Sequence, residues 1–197
     1  MRIALEFKGI KYKYEPINLL AGEQRDTDSY AKINPMKAVP SYVDTDGTEV
    51  SQSVAILEYL EETHPEPALL PSTPKDRAAV RRIVNCIACD IQPIQNLKVL
   101  NEIGTLVGNQ QKVPWAQKWI VEGFTGVENI LTKTAGKYCV GDQISFADIC
   151  LVPQIYNAVR FSVDLSQFPI ISRIGEALKE VPEFQRADPS KMPDAQA

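Results

Sequence analysis

Histidine is nearly absent from this chain: His64 is the single one in 197 residues. A zinc site would have to combine it with cysteines, and only four are present, Cys86, Cys89, Cys139 and Cys150. His64 stands between Thr63 and Pro65, where a helix should end, so it reads as a solvent-facing residue near the helix dipole, with no metal implied. No apolar run approaches the roughly 20 residues of a membrane span, so no membrane partner is expected. Met1-Arg2-Ile3 carries no signal-peptide pattern, which makes a cytoplasmic address the default. Basic residues are scattered under a net charge of −4, and this argues against nucleic acid. Internal repeats and low-complexity tracts are missing too. What remains is an ordinary globular composition, 44% hydrophobic and 23% charged, with length for one domain or two small ones.

Cys86 and Cys89 form a CxxC, a pattern that invites a redox reading. A redox pair wants its first thiol at a helix N-terminus, where the dipole lowers its pKa. Here the pair lies inside RRIVNCIACDIQPI, a helical pattern with Val80, Ile83, Val84, Ile87 and Ile91 on one face. Thiols in mid-helix are usually small core residues, so all four cysteines read as reduced and structural.

The order of patterns predicts two halves. Residues 1–63 read as mixed α/β: a short helix from Arg2 to Lys8 ending at Gly9, a strand over Tyr12–Leu19, and a polar loop or helical turn over 24–33. Four prolines between Pro65 and Lys75 mark residues 64–74 as a linker. Residues 75–197 read as all helix. One amphipathic segment runs from Lys75 to about Asn101, kinked at Pro93. A second runs from Pro114 to about Thr134. A third opens at Ser145 with an acid three residues on, Asp148, and presents Ile149, Val152, Ile155 and Tyr156 as its core face. A fourth covers Pro169 to about Glu180, and the polar tail from Asp188 is expected to fray.

The stretch Asn34–Glu62 carries the most chemistry. Alternation at Tyr42–Asp44 and the Asp46-Gly47 pair predict a hairpin. Val54, Ile56, Leu57 and Leu60 then switch to helical spacing. A cis turn at Val39-Pro40 would leave the preceding backbone N–H and C=O free for a ligand. Gln52 and Ser53 fall in the first helical turn, whose unpaired N–H groups and dipole favour a carboxylate. Together these features describe a cradle for a small anionic peptide; capping of the helix by Gln52 and Ser53 is the plainer alternative.

Several segments, in order and with matching spacing from residue 2 to about 186, resemble the zeta class of glutathione transferases: KGIKYKYEPINLL, INPMKAVPSYV, SQSVAILEYLEETHP, IQPIQNLKVL and GKYCVGDQISFADICLVPQIYNAVRF. The resemblance implies a thioredoxin-like N-terminal domain packed on an all-helical C-terminal domain, and a homodimer. It also implies glutathione as cofactor. Val39 would pair with its cysteinyl backbone, Gln52 and Ser53 with its γ-glutamyl carboxylate, and Gln92 and Asn96, four apart on one helical face, with the same site. Arg160 would meet the carboxylate or enolate of the second substrate, a small anionic electrophile such as maleylacetoacetate or an α-halo acid. Solvated amides at Gln92 and Asn96, and a helix-end charge at Arg160, are the alternatives.

The family pattern begins with a strand and a Ser-Ser-Cys-Ser-Trp-Arg stretch facing the glutathione sulfur. This sequence matches it only from the following helix, Met1–Leu5, so the resemblance assigns no catalytic residue within residues 1–197 and predicts a remodelled first sheet. The implied activity is glutathione-dependent isomerisation of maleylacetoacetate in tyrosine and phenylalanine breakdown. The rival is a binding or regulatory subunit of the same fold. A thioredoxin-like oxidoreductase fails, because no CxxC stands at a strand–helix junction.

Overall fold

A short helix, α1 (Arg2–Phe7), opens the first of two units in the computed structural model, which describes residues 1–26 and 29–195. The first unit comprises Met1–Pro67 and the chain from Glu183 onward; the second comprises Ala68–Pro182. Ile3, Ala4 and Leu5 bury the inner face of α1, and Gly9 at φ +65° lets the chain leave it, as the Lys8–Gly9 pattern predicts. Lys8 then turns inward. Its side chain is 0% exposed, and Nζ meets the Glu61 carboxylate at 2.7 Å while donating to the His64 carbonyl at 2.6 Å and the Pro67 carbonyl at 3.1 Å. A cation that deep needs such a full set of acceptors. His64 therefore ends its helix with its carbonyl engaged and its ring half-buried beside Thr63.

The hairpin forms as expected. Strands β1 (Ser41–Val43) and β2 (Glu49–Ser51) pair antiparallel with Ser41 opposite Ser51, and Gly47 at φ +88° closes the turn. Helix α3 (Ser53–Thr63) follows and buries Ile56, Leu57 and Leu60. Beside it Tyr59 donates to Asp44 at 2.6 Å, and that bond pushes the phenol pKa up to about 12.

The strand expected over Tyr12–Leu19 does not form. Residues 11–17 belong to no helix or strand: Tyr12, Tyr14 and Ile17 are half-buried and Lys11, Lys13 and Glu15 exposed, and no ladder bond reaches them among the described residues. Alternation makes an extended segment, but only a paired neighbour makes it a strand. The predicted stretch 24–33 resolves into a tight turn at Glu23–Arg25 and a helix, α2 (Tyr30–Ile33); residues 27 and 28 within it lie outside the described residues.

In the second unit Thr73 caps α4 (Pro74–Asn85), accepting from the Asp76 N–H at 3.1 Å. A π-helical segment, Cys86–Ile91, continues it, and α5 (Leu97–Val107) begins only after a break, so Pro93 interrupts the helix where a kink was expected. Helix α6 (Lys112–Thr134) lines the core with Ala116, Ile120, Phe124, Val127 and Leu131. It passes the π segment so closely that a Cβ on Gly123 would collide with the Ile91 side chain.

Ser145 and Asp148 form the predicted capping box at the start of α7 (Phe146–Arg160). Its buried face is Ala147, Leu151, Gln154 and Ala158; of the expected face only Ile149 is buried, while Val152 and Ile155 are half-buried and Tyr156 is 57% exposed. Both stripes have helical spacing. The polar Gln154 hides the true one, because a buried amide is tolerated only with a partner. Glu128 of α6 accepts from the Ile170 and Ile171 N–H groups at 2.7 and 3.0 Å, capping α8 (Pro169–Lys179).

Helix α9 (Pro182–Arg186) leads the chain back into the first unit. Arg2 donates to the Ala187 carbonyl at 3.2 Å, Arg186 pairs with Glu6 at 2.8 Å, and Tyr14 reaches Asp194 at 3.1 Å. The tail expected to fray from Asp188 instead turns once more at Pro189–Lys191, with Asp188 accepting from the Ser190 N–H. Of the cysteines, Cys139 is buried, Cys86 and Cys150 are half-buried and Cys89 is exposed, the last against the expectation of a core residue. Burial raises the pKa of the Cys86 thiol, the opposite of what a redox pair needs.

Candidate functional site

In the first unit Val39 precedes β1 and Gln52 and Ser53 follow β2, so the antiparallel pairing puts all three at one end of the hairpin. The Val39–Pro40 peptide is cis, and Val39 is 43% exposed with no backbone hydrogen bond among the described residues. Its N–H and C=O are therefore available to an extended chain alongside. Upstream, Asn34 fixes the approach: its Oδ1 accepts from the Met36 N–H at 3.0 Å, and its Nδ2 donates to the Ala38 carbonyl, which also accepts from Tyr30 Oη at 2.8 Å. The sequence reading passed over Asn34 and Tyr30. The signal for Asn34 was the Asn-Pro pair, which favours a turn held by the Asn side chain.

Gln52 sits at φ +74°, a backbone region that a residue with a Cβ rarely enters. This conformation starts α3 abruptly. The Gln52 side chain makes no capping bond, and the N–H groups of Ser53, Val54 and Ala55 find no acceptor among the described residues. Gln52 and Ser53 are both exposed. The result is a row of outward N–H donors at the positive end of an 11-residue helix, next to an amide side chain free to add another. Such an arrangement can hold a carboxylate.

The other three residues lie in the second unit, and they are not on one helical face. Gln92 follows the π segment, whereas Asn96 is the N-cap of α5, its Oδ1 accepting from the Lys98 N–H at 3.1 Å. Pro93 offers no N–H to carry the helix between them. Both amides are exposed. Arg160 ends α7, also exposed, with its guanidinium 5.7 Å from the Phe161 ring centroid. Val159, 61% exposed, is its neighbour. Among the described residues no group of three or more His, Cys, Asp or Glu side chains is placed to hold a metal, and no helix is long and apolar enough to cross a membrane.

Two family models match the chain: the N-terminal domain of glutathione S-transferase over residues 1–68, and its C-terminal domain over residues 104–186. The chain belongs to the glutathione S-transferase family. Maleylacetoacetate isomerase of Rattus norvegicus is 52% identical over 198 residues, spanning 100% of this chain and 89% of that protein. A bacterial zeta-class glutathione S-transferase solved in its holo form, a maleylpyruvate isomerase, superposes with a TM-score of 0.94 at 38% identity, covering 99% of this chain and 93% of that one. Maleylacetoacetate isomerase from Anaeromyxobacter dehalogenans, solved with glutathione bound in its active site, gives 0.90 at 40% identity over 99% and 91%. The fold is thus that of the glutathione S-transferases: a thioredoxin-like N-terminal domain, here with a two-stranded sheet among the described residues, and a helical C-terminal domain.

Proposed function

We propose that this chain is a glutathione-dependent cis–trans isomerase acting on maleylacetoacetate, and on small α-halo acids as a transferase. The observation that carries the proposal is that Val39, free along its backbone, and the uncapped start of α3 at Gln52 and Ser53 lie at one end of the hairpin, in a chain about half identical to a maleylacetoacetate isomerase. Glutathione fits this cradle: it is an extended peptide with a carboxylate at its γ-glutamyl end, and the residues present offer one backbone edge and one row of N–H donors. Val39 binds the cysteinyl backbone, and Gln52 and Ser53 bind the carboxylate. Gln92 and Asn96 add amide contacts, and Arg160 holds the anionic end of the electrophile as a charge-assisted pair. When bound, glutathione supplies a thiol nucleophile whose reversible addition turns the substrate's double bond into a rotatable single bond. Residues 1–63 form the glutathione-binding domain and residues 75–197 the helical domain that bears Gln92, Asn96 and Arg160, and the protein works as a cytoplasmic homodimer.

Calorimetric titration with glutathione, followed by an isomerisation assay, tests the proposal; absence of heat and of turnover at millimolar glutathione would overturn it. Gln52→Gly separates binding from folding. Relief of the strained φ should raise stability by about 1 kcal/mol, while loss of the side-chain amide weakens glutathione binding roughly tenfold. Arg160→Ala should raise KM about tenfold for the anionic substrate and leave a neutral chlorinated aromatic unaffected. Equal effects on the two would remove Arg160 from the substrate site.

A further inference from the structure

The five residues Gln92–Asn96, which bear both amides assigned to glutathione, have little backbone support. The Gln92 N–H reaches the Ile87 carbonyl at 2.9 Å, Pro93 has no N–H, and the Asn96 N–H meets the Pro93 carbonyl only at 3.4 Å. Two side chains grip the stretch instead. Trp115 of α6 donates its indole N–H to the Ile94 carbonyl at 3.0 Å. Gln95 Nε2 donates to Gln154 Oε1 of α7 at 2.8 Å, inside the core, with Gln95 4% and Gln154 2% exposed.

As a source of stability this second grip is poor. Gln95 Oε1 and Gln154 Nε2 are buried and make no hydrogen bond within the protein among the described residues. One bond made against two polar atoms left unpaired gives little advantage over an apolar pair of similar volume. Its placement is more informative. Gln154 lies on α7, the helix that ends at Arg160, so one buried bond ties the glutathione-contacting stretch to the helix bearing the electrophile-contacting arginine.

We propose that Gln95 and Gln154 are positioning residues: neither touches a ligand, and their bond sets residues 92–96 in the geometry that engages glutathione and fixes that geometry relative to α7. The inference rests on the glutathione-dependent reading above. Its test is the double substitution Gln95→Leu with Gln154→Leu in the full chain. The melting temperature should stay level or rise, because the unpaired amides are gone. Hydrogen exchange of the amides at 94–96 should quicken, and KM for glutathione should rise about tenfold while kcat at saturation changes less than about twofold.

Unchanged exchange, or an unchanged KM with quickened exchange, would overturn the proposal. Should the double variant fold poorly, Gln95→Met, close in volume, is read in the same way. Failure of the wild-type chain to bind glutathione would defeat the functional reading, and the exchange measurement would still decide whether the pair holds the stretch.

Discussion

Replacing Lys8 with methionine is expected to destabilise the first unit by about 3–5 kcal/mol, the usual cost of removing one partner from a buried ion pair. The ammonium lies wholly out of solvent against Glu61 and also satisfies the carbonyls of His64 and Pro67. Its removal takes the ammonium from a carboxylate that is only 10% exposed and withdraws the donor shared by the His64 and Pro67 carbonyls. Amide exchange in α3 should accelerate by two to three orders of magnitude, at about 1.4 kcal/mol for each. Adding Glu61→Leu to the variant should recover much of the loss, because an apolar pair of similar volume replaces a buried ion pair at small cost. A loss below about 1 kcal/mol in the single variant would mean that solvent reaches this pair in solution.

Asp148→Ala should be comparably damaging in the second unit, by about 3–5 kcal/mol, for a different reason. The Asp148 carboxylate is 0% exposed and accepts from the Cys139 N–H, the Ser145 N–H and the Ser145 hydroxyl, each at 2.9 Å. Alanine would strand three buried donors at once. Asparagine rescues little, since its amide keeps one acceptor and points N–H groups at the donors of Ser145. Burial pushes the Asp148 carboxyl pKa up, and the donors around it pull it down by less. A raised folded-state pKa means that this group's pH-linked contribution is fully present below its unfolded pKa, near 4, and is lost as pH rises through the folded value. The stability gap between wild type and Asp148→Asn should therefore widen as pH falls from 7 toward 4, as read by urea unfolding followed through the tryptophans of α6. A gap that narrows on acidification would show that hydrogen bonding outweighs burial here.

Where neighbours in sequence decide the structure, the sequence was readable. The hairpin at Asp46-Gly47, the apolar spacing of α3, and the Ser145–Asp148 box all form as their residues predict. Distant partners were not readable. Tyr12–Leu19 alternates like a strand but pairs with no strand among the described residues, and the true inner face of α7 was masked because the partner of Gln154 lies 59 residues away. Around Val39, Gln52 and Ser53 the motif predicts a cis Val39–Pro40 turn and a helix start, and both form. The positive φ of Gln52 left no trace in composition, since glutamine is not a residue that announces such a backbone. Pro93 was legible as a disturbance, though not as a full break that makes Asn96 a cap.

The return of the tail to α1 has a bearing on how the chain is made. Arg2 and Ala187 are bonded across 185 positions, and Tyr14 and Asp194 across 180. During synthesis at about 5–20 residues per second, Arg2 and Tyr14 wait many seconds for these distant partners. The intervening residues, 68–182, can fold meanwhile, so the unit that is begun before them is finished after them.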